Sequence, residues 1–161
     1  MPKPESMEVF KRRIRIVNEE FDMEGAYKAA KAFADKKGYD FVESDHVNKP
    51  DKYGRKYEFK SLIIKDLDPF ARYIITVELL FFNINQLKNG FYKGDCVGDI
   101  KSQLVLDYKN KYGGSKLMVF FFKLYFRLFK DNYIKNKYTI PLIMVSMEFY
   151  DSVKSKLELY S

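Results

Sequence analysis

The stretch FARYIITVELLFFNI, residues 70–84, decides the fold class. Aromatic and β-branched residues dominate it, and its odd-numbered apolar residues alternate with polar ones, among them Arg72 and Glu78. This alternation is typical of a β-strand with one buried face. The second half is apolar on both faces, which predicts a central strand covered on both sides.

Similar strands flank this stretch in the sequence. Residues 53–65 and 99–108 each alternate apolar and polar side chains, and the turn residues Asp66-Leu67-Asp68-Pro69 follow the first of them. Sequential strands joined by short polar turns predict an antiparallel meander. The remaining predicted features of the sheet are strands at 9–17 and 39–47, a turn at 48–51 and a long polar connection at 85–98.

A helix is predicted over residues 22–38. Asp22 is a suitable N-cap, apolar residues recur every three or four positions from Met23 to Ala34, and Gly38 is a natural stop. The pattern therefore indicates an amphipathic helix that lies on an apolar surface.

A second helix is predicted over residues 116–137, KLMVFFFKLYFRLFKDNYIKNK, with Ser115 as its N-cap. Its apolar face is so wide that we expect it to be buried across the concave face of the sheet. Thr139 and Pro141 predict the start of a separate final helix, because proline is tolerated in a first helical turn.

The polar side of the 116–137 helix is basic. Its members, called the basic stripe below, are Lys116, Lys123, Arg127 and Lys130. Residues 115–138 hold six basic residues and one acidic residue, which accounts for +5 of the chain's net charge of +7. Two interpretations stay open: a solvated edge on a buried helix, which we favour, or a surface for nucleic-acid phosphates or an acidic membrane.

Scarcity of reactive side chains excludes several function classes. The chain of 161 residues has one cysteine, Cys96, and one histidine, His46, so neither an internal disulfide nor a four-ligand structural zinc site is possible. A Cys96–His46 nucleophile pair is formally possible, but two isolated residues are a weak signal. With neither a secretory signal nor an apolar stretch of about 18 residues, we expect a soluble, cytoplasmic protein.

Carboxylates supply the remaining site candidates. Asp66 with Asp68, and Asp95 with Asp99, flank turns, where aspartate is common for local hydrogen bonding and less often catalytic. Glu78 differs because it falls within an apolar strand. It is predicted either to pair with a cation across the sheet or to line a cavity.

The chain resembles a group of archaeal α+β proteins of similar length. The resemblance covers residues 9–160 and rests on four features. Two lie in the first half: Phe21-Asp22 before a helix that ends with Lys37-Gly38-Tyr39, and Asp68-Pro69-Phe70-Ala71-Arg72-Tyr73 at the start of a long strand. The other two are a strand from Gly98-Asp99-Ile100 to Leu106-Asp107-Tyr108, and the aromatic helix that reaches Asn132-Tyr133-Ile134-Lys135. Members usually carry tryptophan where this chain has Tyr or Phe. The group has no established activity, so the resemblance implies no functional residue.

Together these observations predict one α+β domain over residues 8–161 after a loose tail at 1–7. An antiparallel sheet of about four to six strands packs against the long aromatic helix, with one N-terminal and one final helix. We favour a non-enzymatic binding or interaction module without a cofactor or metal, although the sequence does not decide whether the chain is an enzyme. The alternatives are a nucleic-acid-binding protein that uses the basic stripe and a carrier with a cavity for a small apolar ligand between the sheet and the long helix.

Overall fold

The computed structural model describes the backbone of residues 5–51 and 54–158, and the side chains of residues 5–43 and 56–158. The elements in chain order are β1 (Glu5–Phe21), α1 (Met23–Lys37), β2 (Asp40–Asp51), β3 (Gly54–Asp66), β4 (Ala71–Gln86), β5 (Tyr92–Leu106), a 3₁₀ turn (Lys111–Gly113), α2 (Lys116–Phe129), a π-helical segment (Lys130–Thr139) and α3 (Ile140–Leu157).

The strands form one five-stranded antiparallel sheet in the order β1-β5-β4-β3-β2. Strands β2 to β5 are the predicted meander, and β1 adds to its β5 edge. Because β1 and β2 lie at opposite edges, α1 crosses the sheet to connect them. The predicted α+β class with an antiparallel sheet is confirmed.

Helices α1 and α3 pack against each other and cover one face of the sheet. On β4 the odd-numbered residues up to Phe81 are buried on this face, whereas the alternate residues, such as Ile74 and Leu80, stay partly exposed. The expectation that β4 is covered on both sides is therefore wrong. The apolar residues of its second half widen one partly open face instead of meeting a second layer.

Local sequence signals set the ends of α1 as predicted. The Asp22 carboxylate accepts a hydrogen bond from the Gly25 amide at 2.8 Å, which caps the helix. Gly38 ends it with a φ of 76°, a left-handed conformation that glycine adopts without a Cβ clash. Ala26, Ala30 and Ala34 are buried on the side that faces the sheet.

The C-terminal region is one continuous helix and not the two that Thr139 and Pro141 predict. The backbone at Thr139 is helical, and the Ile140 amide donates to the Lys135 carbonyl, the bonding of a π-helix. Pro141 lies in the first turn of α3 without interrupting the helix. The long helix packs on the sheet through residues 134–157, while α2, the aromatic part, extends away from it.

Several strands are longer than the sequence predicts. Strand β1 begins at Glu5, inside the predicted tail, of which residues 1–4 lie outside the described residues. Strand β2 continues through the predicted turn to Asp51, and β5 begins at Tyr92, inside the predicted connection. Gly98 belongs to β5, where a Cβ would lie 2.1 Å from the Glu78 carbonyl oxygen. Its glycine therefore permits a close strand pairing and does not mark a loop.

Candidate functional site

A cavity of about 470 Å³ lies between α1 and the sheet. Ala26 and Ala30 of α1 line it, and their short side chains leave space that larger residues would fill. Val77 and Leu79 of β4 lie on the sheet side, and Val153 of α3 also lines it. Five aromatic residues complete most of its wall: Tyr27, Tyr57, Phe59, Phe81 and Tyr92.

Tyr27 joins the aromatic wall to the polar end of the cavity. Its ring meets the Phe59 ring edge to face, with centroids 5.6 Å apart. Its hydroxyl donates to the Glu43 carboxylate at 3.5 Å. Glu24 also lines the cavity, so two carboxylates and one hydroxyl lie beside a largely apolar space. This combination suits an apolar ligand that carries a hydrogen-bond donor at one end.

Glu78 is not part of this cavity, which corrects its prediction as a cavity residue. Its neighbours Val77 and Leu79 face the helices, so strand alternation directs Glu78 to the opposite face of the sheet. There its side chain is 46% exposed, and its carboxylate lies 3.5 Å from the Lys60 ammonium. The predicted cross-sheet pairing with a cation is the alternative that the structure shows.

Helix α2 leaves an apolar surface in solvent. We call this surface the outer apolar face; its members are Leu117, Phe120, Phe121, Leu124 and Leu128. Leu117 is 63% exposed, Phe121 53% and Leu128 65%. The expectation that this helix is buried across the sheet is wrong, because no residue of α2 is buried. The cavity that the sequence predicts between the sheet and this helix lies under α1 instead.

Another side of α2 rests on a small aromatic cluster. Phe122 and Tyr125 each meet the Phe70 ring edge to face at 5.9 Å, and Phe122 also stacks on Tyr112 at 5.9 Å. Phe70 precedes β4 and Tyr112 lies in the 3₁₀ turn, so the contacts join α2 to one end of the sheet. They hold the helix in place while its other side stays open.

All four residues of the basic stripe are exposed on α2 or at its end. No ion pair involves Lys116, Lys123 or Arg127 within the described side chains, and the Lys130 ammonium lies 5.5 Å from the centroid of the Phe126 ring. The structure thus brings the predicted stripe together on one side of a helix. The stripe borders the outer apolar face. The sequence did not predict an exposed apolar surface beside the stripe, because these apolar residues were expected to be buried.

Asp68 belongs to a structural connection between the sheet and the long helix. Its carboxylate accepts hydrogen bonds from the Phe70 and Ala71 amides, both at 2.8 Å, and from the Tyr138 hydroxyl at 2.9 Å. Burial alone would raise the pKa of Asp68, but these hydrogen bonds together hold it below its usual value. The Tyr73 hydroxyl donates to the Tyr138 carbonyl and strengthens the same junction.

The other predicted carboxylates also make structural contacts. Asp66 accepts hydrogen bonds from the Arg72 guanidinium, which lowers the pKa of the carboxyl. Asp95 accepts from the Asn18 amide at 2.7 Å and from an amide group of a neighbouring strand at 3.0 Å. Asp99 pairs with Arg13 at 3.2 Å. Each of these carboxylates ties one strand or turn to another.

Cys96 of β5 is buried, and burial raises the pKa of its thiol to about 12. The thiolate that a nucleophile requires is therefore disfavoured. The His46 side chain lies outside the described residues, so the formal Cys96–His46 pair stays a prediction.

Within the described ranges, no helix combines the length and apolar character that crossing a bilayer requires. The described side chains of residues 5–43 and 56–158 likewise contain no group of three or more His, Cys, Asp or Glu placed to hold a metal ion. No family model, curated protein or solved structure matches this chain. The resemblance to archaeal proteins accordingly stays a prediction.

Proposed function

We propose that this protein binds a small, mainly apolar ligand in the cavity between α1 and the sheet. The observation that carries the proposal is the volume of about 470 Å³ together with an aromatic and aliphatic lining. Small-molecule sites typically measure roughly 300–1,000 Å³ and are mostly apolar with a few oriented polar groups. The Tyr27 hydroxyl and the Glu43 carboxylate supply such groups at one end.

The ligand chemistry follows from the wall and the rim. Aromatic side chains favour a flat or aromatic body, which can stack on them or meet their edges. The Tyr27 hydroxyl and the Glu43 carboxylate favour a neutral or cationic donor on the ligand over an anion, whereas the exposed Glu24 carboxylate at the rim pairs with Lys28 at 3.0 Å. A cytoplasmic location belongs to the proposal as well, because the buried free thiol of Cys96 suits a reducing compartment.

A neutral apolar fluorophore, N-phenylnaphthylamine, tests the site directly. We expect its emission to rise on binding, and we expect Ala30→Met, which directs a larger side chain into the cavity, to weaken binding at least about ten-fold by steric exclusion. Ala32→Met is the matched control, since Ala32 is exposed on the other side of the same helix.

Two further measurements decide the outcome. Mass spectrometry of gently purified protein should show a bound small molecule. A ligand at about one hundred times its Kd should raise the Tm by roughly 5–10 °C, since it adds about 2.7 kcal/mol to a domain of this size. Equal fluorophore binding by Ala30→Met and Ala32→Met, or no binding by the unchanged protein, contradicts the proposed site.

A further inference from the structure

We propose that α2 docks on an anionic phospholipid surface, with its outer apolar face inserted between the lipids and its basic stripe at the headgroups. This inference is independent of the cavity, which lies under α1. It starts from the exposure of five large apolar side chains on a helix that is otherwise well anchored.

The arrangement of side chains around α2 matches a helix that lies in the plane of a membrane surface. At 3.6 residues per turn, the centre of the basic stripe lies roughly 100° around the helix from the centre of the outer apolar face. Phe120 adjoins Lys116 and Lys123, and these three line a shared shallow groove. Interfacial helices carry Phe and Leu on one face and Lys or Arg beside it, so that the apolar side chains reach the acyl chains while the basic ones stay at the headgroups.

The other sides of α2 make this orientation possible. Phe122 and Tyr125 hold the helix to the protein through Phe70, on a side that lies roughly 115° around the helix from the outer apolar face and roughly 140° from the basic stripe. The helix can therefore lie flat on a surface without unfolding any described element. Its 14 residues extend about 21 Å along that surface.

Charge selects an anionic surface as the occupant. Residues 116–130 contain four basic residues and no acidic one. The cytoplasmic leaflet's anionic lipids attract such a group of charges, and each basic residue near the surface strengthens binding roughly five-fold. Burial of the aromatic and leucine side chains among the lipids adds a contribution to the binding free energy that does not depend on salt.

A second copy of this chain fits the surface less well. Facing α2 helices would bring two basic stripes together, which repel each other. The outer apolar face offers on the order of 500 Å², whereas a stable dimer typically buries about 800 Å² on each partner. A nucleic acid would meet the basic stripe but leave Leu117 and Leu128 in water.

Vesicle flotation with the full chain tests the docking surface. We expect binding to vesicles of phosphatidylcholine mixed with phosphatidylserine, weak binding to phosphatidylcholine alone, and a decrease with added salt. Lys123→Gln with Arg127→Gln should weaken binding roughly 25-fold. Lys31→Gln with Lys36→Gln, which removes the same charge from the exposed side of α1, is the matched control and should bind nearly as the unchanged protein does.

The apolar contribution has its own variants. Leu117→Ser with Leu128→Ser should abolish flotation without loss of folding, because both side chains are already exposed. The chain has no tryptophan, so Phe121→Trp is a single reporter whose emission should shift to shorter wavelength with the mixed vesicles.

Three results would overturn the docking proposal. One is the absence of binding to mixed vesicles at low salt. Another is binding to RNA or duplex DNA, with no binding to vesicles, that the Lys123→Gln, Arg127→Gln variant loses. The third is a dimer that Leu117→Ser with Leu128→Ser dissociates, again with no vesicle binding. Fluorophore binding in the cavity is unaffected by any of them, so the two proposals fail separately.

Discussion

Two phenylalanines of the same continuous helix should differ sharply in what they contribute to stability. Phe149 of α3 is fully buried, and its ring meets the Phe33 ring edge to face at 5.2 Å. Phe121 of α2 is 53% exposed, and its ring lies 5.8 Å from that of its neighbour Phe120. Replacing each by alanine removes the same atoms from two different environments.

The expected magnitudes follow from burial. Phe149→Ala loses a buried ring and leaves a cavity, which typically lowers the free energy of unfolding by about 3–5 kcal/mol. Phe121→Ala loses little buried area and gains helix propensity, so we expect a change within about 0.5 kcal/mol. For a domain of this length, 3–5 kcal/mol lowers the Tm by roughly 6–20 °C.

Urea unfolding followed by circular dichroism measures the free energy of unfolding of both variants and of the unchanged protein under identical conditions. Phe149→Leu gives a milder core variant if Phe149→Ala does not fold, and it should still lower stability more than Phe121→Ala does. A loss for Phe121→Ala that equals the loss at Phe149 would mean that α2 packs against the core. The outer apolar face would then not exist as a solvent-exposed surface.

The remaining predictions concern buried hydrogen bonds. The Ser102 and Ser146 hydroxyls are hydrogen-bonded and fully buried, and Ser146 also donates to a backbone carbonyl at 2.6 Å. Ser146→Ala should lower the free energy of unfolding by about 1–3 kcal/mol because it leaves the Ser102 hydroxyl without that partner. Adding Ser102→Ala should recover part of the loss. Strictly additive losses for the two variants in urea unfolding would contradict the coupling of the two hydroxyls. The pKa of Asp68 is lower in the folded protein than in the unfolded chain, so the ionised carboxylate stabilises the fold at a pH above the unfolded-state pKa. This stabilisation is lost as the pH falls through the folded-state pKa, so the free energy of unfolding should drop below about pH 4. Asp68→Asn, whose amide oxygen can still accept two backbone hydrogen bonds, should flatten this acid dependence, and an unchanged slope of urea midpoint against pH would disprove the contribution.

Local chemistry made parts of the fold predictable. Asp22 and Gly38 set the ends of α1 because a carboxylate cap and a left-handed glycine act within a single turn. The alternation in β4 identified its buried face for a similar reason, since each residue's direction follows from the strand itself.

The candidate sites were predicted less well because they depend on packing between distant elements. The basic stripe followed from helical spacing, but the cavity did not, although Ala26 and Ala30 on the inner side of α1 were a signal of unfilled space. A cavity was one of the two predicted places for Glu78, because its apolar neighbours suggested burial on both faces. The partly open outer face of the sheet, which no periodicity reveals, explains that error.

By itself the amino-acid sequence determined the α+β class, the antiparallel sheet and the amphipathic character of α1 and α2, because these depend on residue spacing and short-range geometry. Only the tertiary structure decided which helices pack their apolar faces on the sheet. Helix α3 and the alanines of α1 cover the buried face of the sheet, so the more aromatic α2 is left outside the core. A hydrophobic face has no intrinsic partner, and the space available in the folded chain settles whether it is covered.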